Sequence, residues 1–177
     1  MLWLCQSIFP LMVKNKYLHV THDSIPPFVP QDAEILILGS FPSPGSRKEG
    51  FYYAYKTNRF FKILSSLFSE VEPLTTEERK AFLNRHAIAL YDVIESCDIV
   101  GASDSSIRNV LVSDIDGIKA KCPSIRQVFT TGTKAAELYR KYHDDNFLSL
   151  PSPSAANAGM SLTELVGKYS VILSFLN

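Results

Sequence analysis

Glu34-Ile-Leu-Ile-Leu-Gly39 places four consecutive apolar residues ahead of a glycine. A strand with one wet face would alternate, so this unbroken run predicts a central strand covered on both sides, as in a parallel sheet. Ile88-Ala-Leu-Tyr-Asp-Val-Ile94 predicts a second strand with a mixed polar end, Gln127-Val-Phe-Thr-Thr131 a third and Phe147-Leu-Ser-Leu150 a fourth. Helical spacing fills the intervals. Phe60, Ile63, Leu64 and Leu67 share a face over Arg59 to Phe68, with Asn58 or Thr57 as the cap. Thr76-Glu-Glu-Arg79 reads as a capping box opening a helix to about His86. Asp104 to Cys122 reads as one or two short helices carrying Ile107, Val110, Leu111, Ile115 and Ile118. Gly132-Thr133 turns the third strand into a helix reaching about Tyr142. Ser161 opens a closing helix with Leu165, Tyr169, Ile172 and Leu176 along one side. Helices separate the strands throughout. The expected fold class is therefore α/β, a three-layer α/β/α sandwich about a central, mainly parallel four-stranded sheet.

Two stretches break the periodicity in a similar way. Ser40-Phe-Pro-Ser-Pro-Gly-Ser46 follows the first strand and Pro151-Ser-Pro-Ser154-Ala-Ala-Asn157-Ala-Gly159 follows the fourth. Both read as rigid, turn-forming loops excluded from helix and sheet interior. Open α/β sheets place ligands beyond the carboxyl ends of their strands, so the two loops are expected to face each other over one cleft. Serine hydroxyls and free backbone N–H groups there suit phosphate oxygens. Neither loop has the Gly-x-x-x-x-Gly-Lys-Ser/Thr or Gly-x-Gly-x-x-Gly spacing of a nucleotide cradle, and no cofactor is expected.

Composition adds restraint. The 177 residues suit one domain, and no apolar run approaches the ~20 residues of a membrane span. Met1 to Met12 is apolar without a basic lead, so residues 1–18 are read as an N-terminal extension rather than a signal peptide, with residues 19–177 as the domain. Cys5, Cys97 and Cys122 offer neither a disulfide framework nor a metal pair, and His19 and His22 lack a supporting cluster. No metal is expected, and a reducing, cytoplasmic location is the default, at the nucleoid in a prokaryote. The formal net charge is zero, yet the charge is uneven. Asp92 to Asp116 sums to −5 and Lys119 to His143 to +5. The second segment offers basic side chains for orienting a polyanion.

Gly39-Ser-Phe-Pro-Ser-Pro-Gly-Ser46, then Gly50-Phe-Tyr-Tyr53 and Asn58-Arg-Phe-Phe61, resembles the first block of the uracil-DNA glycosylase superfamily, closest to its hypoxanthine-DNA (deoxyinosine) glycosylase branch. Ala89-Leu-Tyr-Asp-Val-Ile94 with Cys97, Asp104-Ser105 with Ile107, Phe129 to Gly132 with Lys134-Ala135, and Leu150-Pro-Ser-Pro-Ser154 with Asn157 resemble its later blocks, in order. The likeness runs from about residue 19 to the end. There are departures from the branch. Tyr55-Lys56-Thr57 stands for His-Pro-Arg, Phe61 for tryptophan and Tyr91 for the tryptophan of Trp-Asp. Sister branches carry a carboxylate or asparagine where Ser40 stands and a histidine where Leu150 stands, so their mechanism of uracil excision is not expected to carry over.

The resemblance implies a monofunctional glycosylase that removes a deaminated base, hypoxanthine first, from DNA by flipping the nucleotide and positioning a water. Asn58 is the expected catalytic residue, since its amide can both accept from and donate to a water without ionising. It also stands where a helix cap would. Gly39, Ser40, Phe41 and Tyr53 are expected to line the base pocket, with Tyr53 stacking on or gating the base. Ser43, Lys56, Arg59, Ser152, Ser154 and Asn157 are expected to meet the DNA backbone or the vacated base position. Asp92 and Asp104 qualify as acid catalysts but more often cap backbone. DNA with a deaminated base is the expected partner of a monomeric, membrane-free protein. The alternatives are a uracil- or mismatch-type glycosylase of the same fold and a nucleic-acid-binding domain without turnover.

Overall fold

Ile35 to Gly39 forms strand β2, in which every residue is buried, as its unbroken apolar run requires. The structure is a computed structural model describing residues 17–101 and 103–177. β2 lies between β3 (Ile88–Asp92) and β6 (Gln127–Thr131), and β6 pairs with β7 (Phe147–Leu150). All three pairings are parallel, giving the order β3-β2-β6-β7. The expected α/β architecture about a four-stranded parallel sheet is present.

Helices α2 (Phe60–Phe68) and α6 (Leu162–Tyr169) pack on one another, and α5 (Thr133–Tyr142) returns along β6. α6 begins with the capping box expected at Ser161, closed by Glu164. Its helical path tightens into a 3-10 segment over Ser170–Phe175 instead of continuing to Leu176. In α3 (Thr76–Arg85) the box sits one residue earlier than expected, between Thr75 and Glu78, because the acceptor at the third helical position must be glutamate and not Arg79.

Two expectations fail. Pro44–Glu49 is a short helix, α1, not loop, because Ser43 caps it and Pro44 occupies the first turn, where a missing N–H costs nothing. A second sheet is also present. β1 (Leu18–Thr21), β4 (Ile94–Ile99) and β5 (Arg108–Val112) pair antiparallel in the order β1-β4-β5. Val110 and Leu111 therefore lie on a strand where a helix was expected. The register of β4 against β5 shifts twice, which erases the two-residue alternation that would have marked them. The extension expected over residues 1–18 falls outside the described residues apart from Tyr17 and Leu18, and Leu18 already opens β1. No helix among the described residues is long and apolar enough to cross a membrane.

Candidate active site

The four parallel strands end at one edge of the sheet, with Gly39, Asp92, Thr131 and Leu150 as their last residues. The chain turns from β3 at once. Val93 N–H donates to the Gly39 carbonyl and Ile94 N–H to that of Ser40, which fixes the first loop against the start of β4. The two Pro/Ser loops face each other across a cleft of about 660 Å³.

From the first loop, Gly39, Ser40, Phe41 and Ser43 line this cleft, joined by Tyr53 and Asn58. The Ser43 hydroxyl accepts from Ser46 N–H as the cap of α1. Phe41 lies edge-on to His22, and the Arg47 guanidinium stands 5.7 Å from its ring centre. Tyr53 has φ of +51°, an uncommon backbone state for a residue with a side chain. Its ring stacks on Phe60 at 3.9 Å, and its hydroxyl is 3.0 Å from the Thr131 hydroxyl. Burial pushes the phenol pKa well up. Held at face and tip, Tyr53 forms a fixed wall, so a gating motion has no support in the geometry.

Asn58 closes a turn through its N–H to the Tyr55 carbonyl, and its Oδ1 accepts from Phe60 N–H at 2.9 Å. Arg59, not Asn58, holds the N-cap position of α2 and makes no side-chain cap bond there; the Asn58 side chain instead satisfies the first helical N–H from one residue further out, and it lines the cleft. Its amide nitrogen donates to no protein group among the described residues.

Ser152 and Ser154 of the second loop also line the cleft. Each hydroxyl oxygen accepts a backbone N–H from two residues on, Ser154 and Ala156 respectively, leaving its own proton to donate elsewhere. Gly132, at φ +84°, brings the β6–α5 turn against Ser152, where a side chain would touch the serine Cβ at 3.3 Å. Thr133 and Lys134 at the amino end of α5 line the cleft as well, so Lys134 is the residue of the basic 119–141 segment that the fold delivers to it.

The remaining nominations sit elsewhere. Lys56 is exposed on the turn and does not line the cleft. Arg59 faces inward instead of toward a backbone phosphate. Its guanidinium donates to the carbonyls of Met160 (2.6 Å), Asn157 (2.8 Å) and Ser154 (2.9 Å), with a longer bond to Pro153 (3.4 Å). Its main-chain N–H donates to Pro153 too. Four acceptors converging on a planar fork explain why this arginine cannot also present itself outward. Asn157 is likewise turned into the loop, donating to the Ser152 carbonyl at 3.0 Å.

Two carboxyl groups enter the cleft. Asp104 stands at its exposed rim and accepts from the Ser40 hydroxyl at 3.0 Å. Desolvation by the surrounding protein raises its pKa, and the Ser40 bond offsets this only in part. Asp92 lies deeper, only 4% exposed, with Oδ2 2.9 Å from His22 Nε2. His22, weighed in the sequence only for a metal-like spacing with His19, is 2% exposed beneath the cleft; His19 is paired with Asp98 on the surface. Burial alone would lower the His22 pKa, and the hydrogen bond and charge of Asp92 outweigh it, giving a net rise. Nothing in the local sequence announces this pair, since the partners are 70 residues apart. Among the described residues no three His, Cys, Asp or Glu side chains are placed to hold a metal ion.

The cleft combines the Asn58 amide, ring walls from Phe41 and Tyr53, the hydroxyls of Ser152 and Ser154, and Lys134. The family profile described as "Uracil DNA glycosylase superfamily" matches residues 26–169. The chain belongs to that superfamily. It is 30% identical over 139 residues to a protein named hypoxanthine DNA glycosylase from Methanosarcina acetivorans, covering 77% of this chain and 88% of that one. A second protein of that name, from Methanosarcina barkeri, is 30% identical over 113 residues, covering 63% and 72%. The solution NMR structure of a candidate uracil DNA glycosylase from Methanosarcina acetivorans superposes with a TM-score of 0.68 at 29% identity, covering 83% of this chain and 95% of that one. Membership makes this a glycosylase-type enzyme, and the superposition supports the α/β fold with its central sheet.

Proposed function

We propose that this superfamily member is a monofunctional DNA glycosylase that hydrolyses the N-glycosidic bond of a deaminated nucleotide, with hypoxanthine in deoxyinosine its preferred base. The observation that carries the reading is the position of Asn58, whose amide borders the same cleft as both Pro/Ser loops. Two relatives bearing the hypoxanthine DNA glycosylase name support the choice of base.

In this reading the nucleotide leaves the stack, at a cost of a few kcal/mol that is smallest at mismatched or single-stranded sites. Its base enters between Phe41 and Tyr53. Ser152 and Ser154 donate to flanking phosphate oxygens, with Lys134 and the amino end of α5 adding positive potential. Asn58 holds a water in line with C1′. The water oxygen bonds to C1′ as the C1′–N9 bond breaks. The electron pair leaves with the base, which gains a proton, while the attacking water loses one. Backbone N–H groups of the first loop favour the charge developing on the base. Asp104, with its raised pKa, is a second candidate for handling a proton at the rim.

Single-turnover release from oligonucleotides containing one deoxyinosine, one deoxyuridine or neither, in EDTA and with alkali applied afterwards, tests the proposal. Inosine is expected to react first. Asn58→Ala should lower that rate ~10²-fold or more while leaving DNA binding nearly intact, because a residue acting chiefly in the transition state is removed. Uracil reacting first would move the protein to a uracil-type activity. Equal rates for wild type and variant would remove Asn58 from the mechanism.

A further inference from the structure

The turn that leads into Asn58 carries side chains that the hydrolytic steps leave unused. Ala54 is buried at its start and Asn58 lines the cleft at its end, while Tyr55, Lys56 and Thr57 between them are exposed. This is the stretch where the chain has Tyr-Lys-Thr in place of the branch's His-Pro-Arg. The Asn58 N–H donates to the Tyr55 carbonyl at 2.8 Å. Such a bond closes a β-turn, whose first and last Cα atoms lie within about 7 Å of each other. Tyr55 is therefore held beside the amide proposed to position the attacking water, but outside the cleft.

The Tyr55 ring is 52% exposed, so it forgoes much of the gain that burying an aromatic side chain brings. Its placement is nonetheless defined. Cβ, Cγ and Cδ2 of Tyr55 rest on Gly45 of α1, where any side chain would collide with them. Gly45 thus seats the ring along one side and leaves the rest open. The preceding residues of that segment, Ser43 and Pro44, line the cleft, so the seated ring continues the cleft wall outward. Lys56 is exposed next to it and takes part in no ion pair among the described residues.

We propose that Tyr55 and Lys56 form an outer subsite for single-stranded DNA, in which the base next to the extruded nucleotide stacks on the Tyr55 ring and a phosphate beside it meets the Lys56 ammonium. The inference deepens the glycosylase reading and rests on it for the identity of the ligand as a DNA strand. Every base has a π-face, so stacking accepts any neighbour and adds affinity without reading sequence. The formal net charge is zero, so bulk attraction does not hold a flexible strand and local contacts have to. In an intact duplex the neighbouring base stays paired and stacked in its own helix. The subsite therefore acts where the flank is free, in single strands and at frayed positions.

Binding tests this without depending on turnover. The probes are single strands carrying one 2′-fluoro-2′-deoxyinosine, which resists hydrolysis. In two further strands the base on one side of it, or on the other, is replaced by an abasic tetrahydrofuran spacer. Wild type should bind the full strand ~5-fold or more tighter than one of the two spacer strands, the size expected for one stacked base. Tyr55→Ala should lose that difference, and Tyr55→Trp should keep it. 2-Aminopurine at the responsive position should lose fluorescence on binding wild type and not on binding Tyr55→Ala. Lys56→Gln should lower the slope of log K against log salt by about 0.7, the share of one phosphate on a single strand. Equal binding of all three strands by wild type, or a spacer effect undiminished in Tyr55→Ala, would overturn the subsite, and an unchanged salt slope would overturn the Lys56 contact. Failure of the glycosylase reading is seen separately, as no base released from natural deoxyinosine while the spacer effect persists.

Discussion

Arg59 offers the sharpest quantitative test. Three of its guanidinium bonds to the second loop are 2.6–2.9 Å long, and each joins a charged donor to a main-chain carbonyl. Bonds of that type contribute ~1.5–3 kcal/mol apiece. The lower figure suits a half-buried side chain, and three such bonds amount to about 4.5 kcal/mol. Replacing the arginine by methionine keeps much of the stem packing, and water reaches some of the released carbonyls. The expected net loss is then about 3 kcal/mol. With a urea slope near 2 kcal/mol/M, the unfolding midpoint should fall by about 1.5 M at unchanged slope. Arg59→Lys should recover less than half of this, because an ammonium cannot reach several divergent carbonyls at once. DNA binding supplies the second arm. A clamp that never touches phosphate leaves the dependence of log K on log salt unaltered, whereas loss of one phosphate contact lowers the slope by about 1. A stability loss below 1 kcal/mol together with a reduced salt slope would refute the clamp and restore Arg59 to the DNA contact expected from sequence.

Further outcomes follow from other parts of the cleft. Gly39→Ala would drive a methyl group into the Asp92 carboxyl, so we expect a loss of about 1–3 kcal/mol and a blocked base pocket; unchanged melting and base release would contradict it. The raised His22 pKa means that the folded protein holds this proton more tightly than the unfolded chain does. Its contribution is complete below about pH 6.5 and is lost as pH rises through the folded value, a decline that urea titrations should show in wild type and not in His22→Gln. Asp104 has a raised pKa as well, so ionising it opposes folding: stability falls as pH rises above the ordinary carboxylate range. Asp104→Asn should flatten that decline and be the more stable protein at pH 7; greater stability of wild type there would argue against a desolvated carboxyl.

The legible parts of the molecule are those whose cause is local. The apolar run Ile35–Leu38 needs both faces covered wherever it lies, and the parallel sheet follows. Proline, glycine and serine mark both cleft loops without reference to the rest of the chain. The helix Pro44–Glu49 was hidden by the same prolines, because Pro44 stops a helix from one direction and starts it from the other. β4 and β5 carry Glu95, Ser96, Asp98, Arg108 and Asn109, with φ of +51° at Asn109, and their shifted register leaves no period to read. The inward turn of Arg59 and the pairing of His22 are the least legible features, because their partners lie far along the chain. A sequence shows the charge of such residues and not the direction in which it is turned.

Asn58 and Arg59 are neighbours in the chain, and that adjacency has a mechanical meaning. One residue faces the reacting carbon in the proposed mechanism, and the next stitches the opposite loop at Pro153, Ser154, Asn157 and Met160. Tyr169 ties the same loop at Pro151. The spacing between the water site and the serine donors is thus a ruler cut before any strand arrives. A nucleic acid bound along this path must bring its sugar and its neighbouring phosphates to that fixed interval. The strand, rather than the protein, supplies the bending, and bases that leave their stack easily gain a head start before any atom of the base is read.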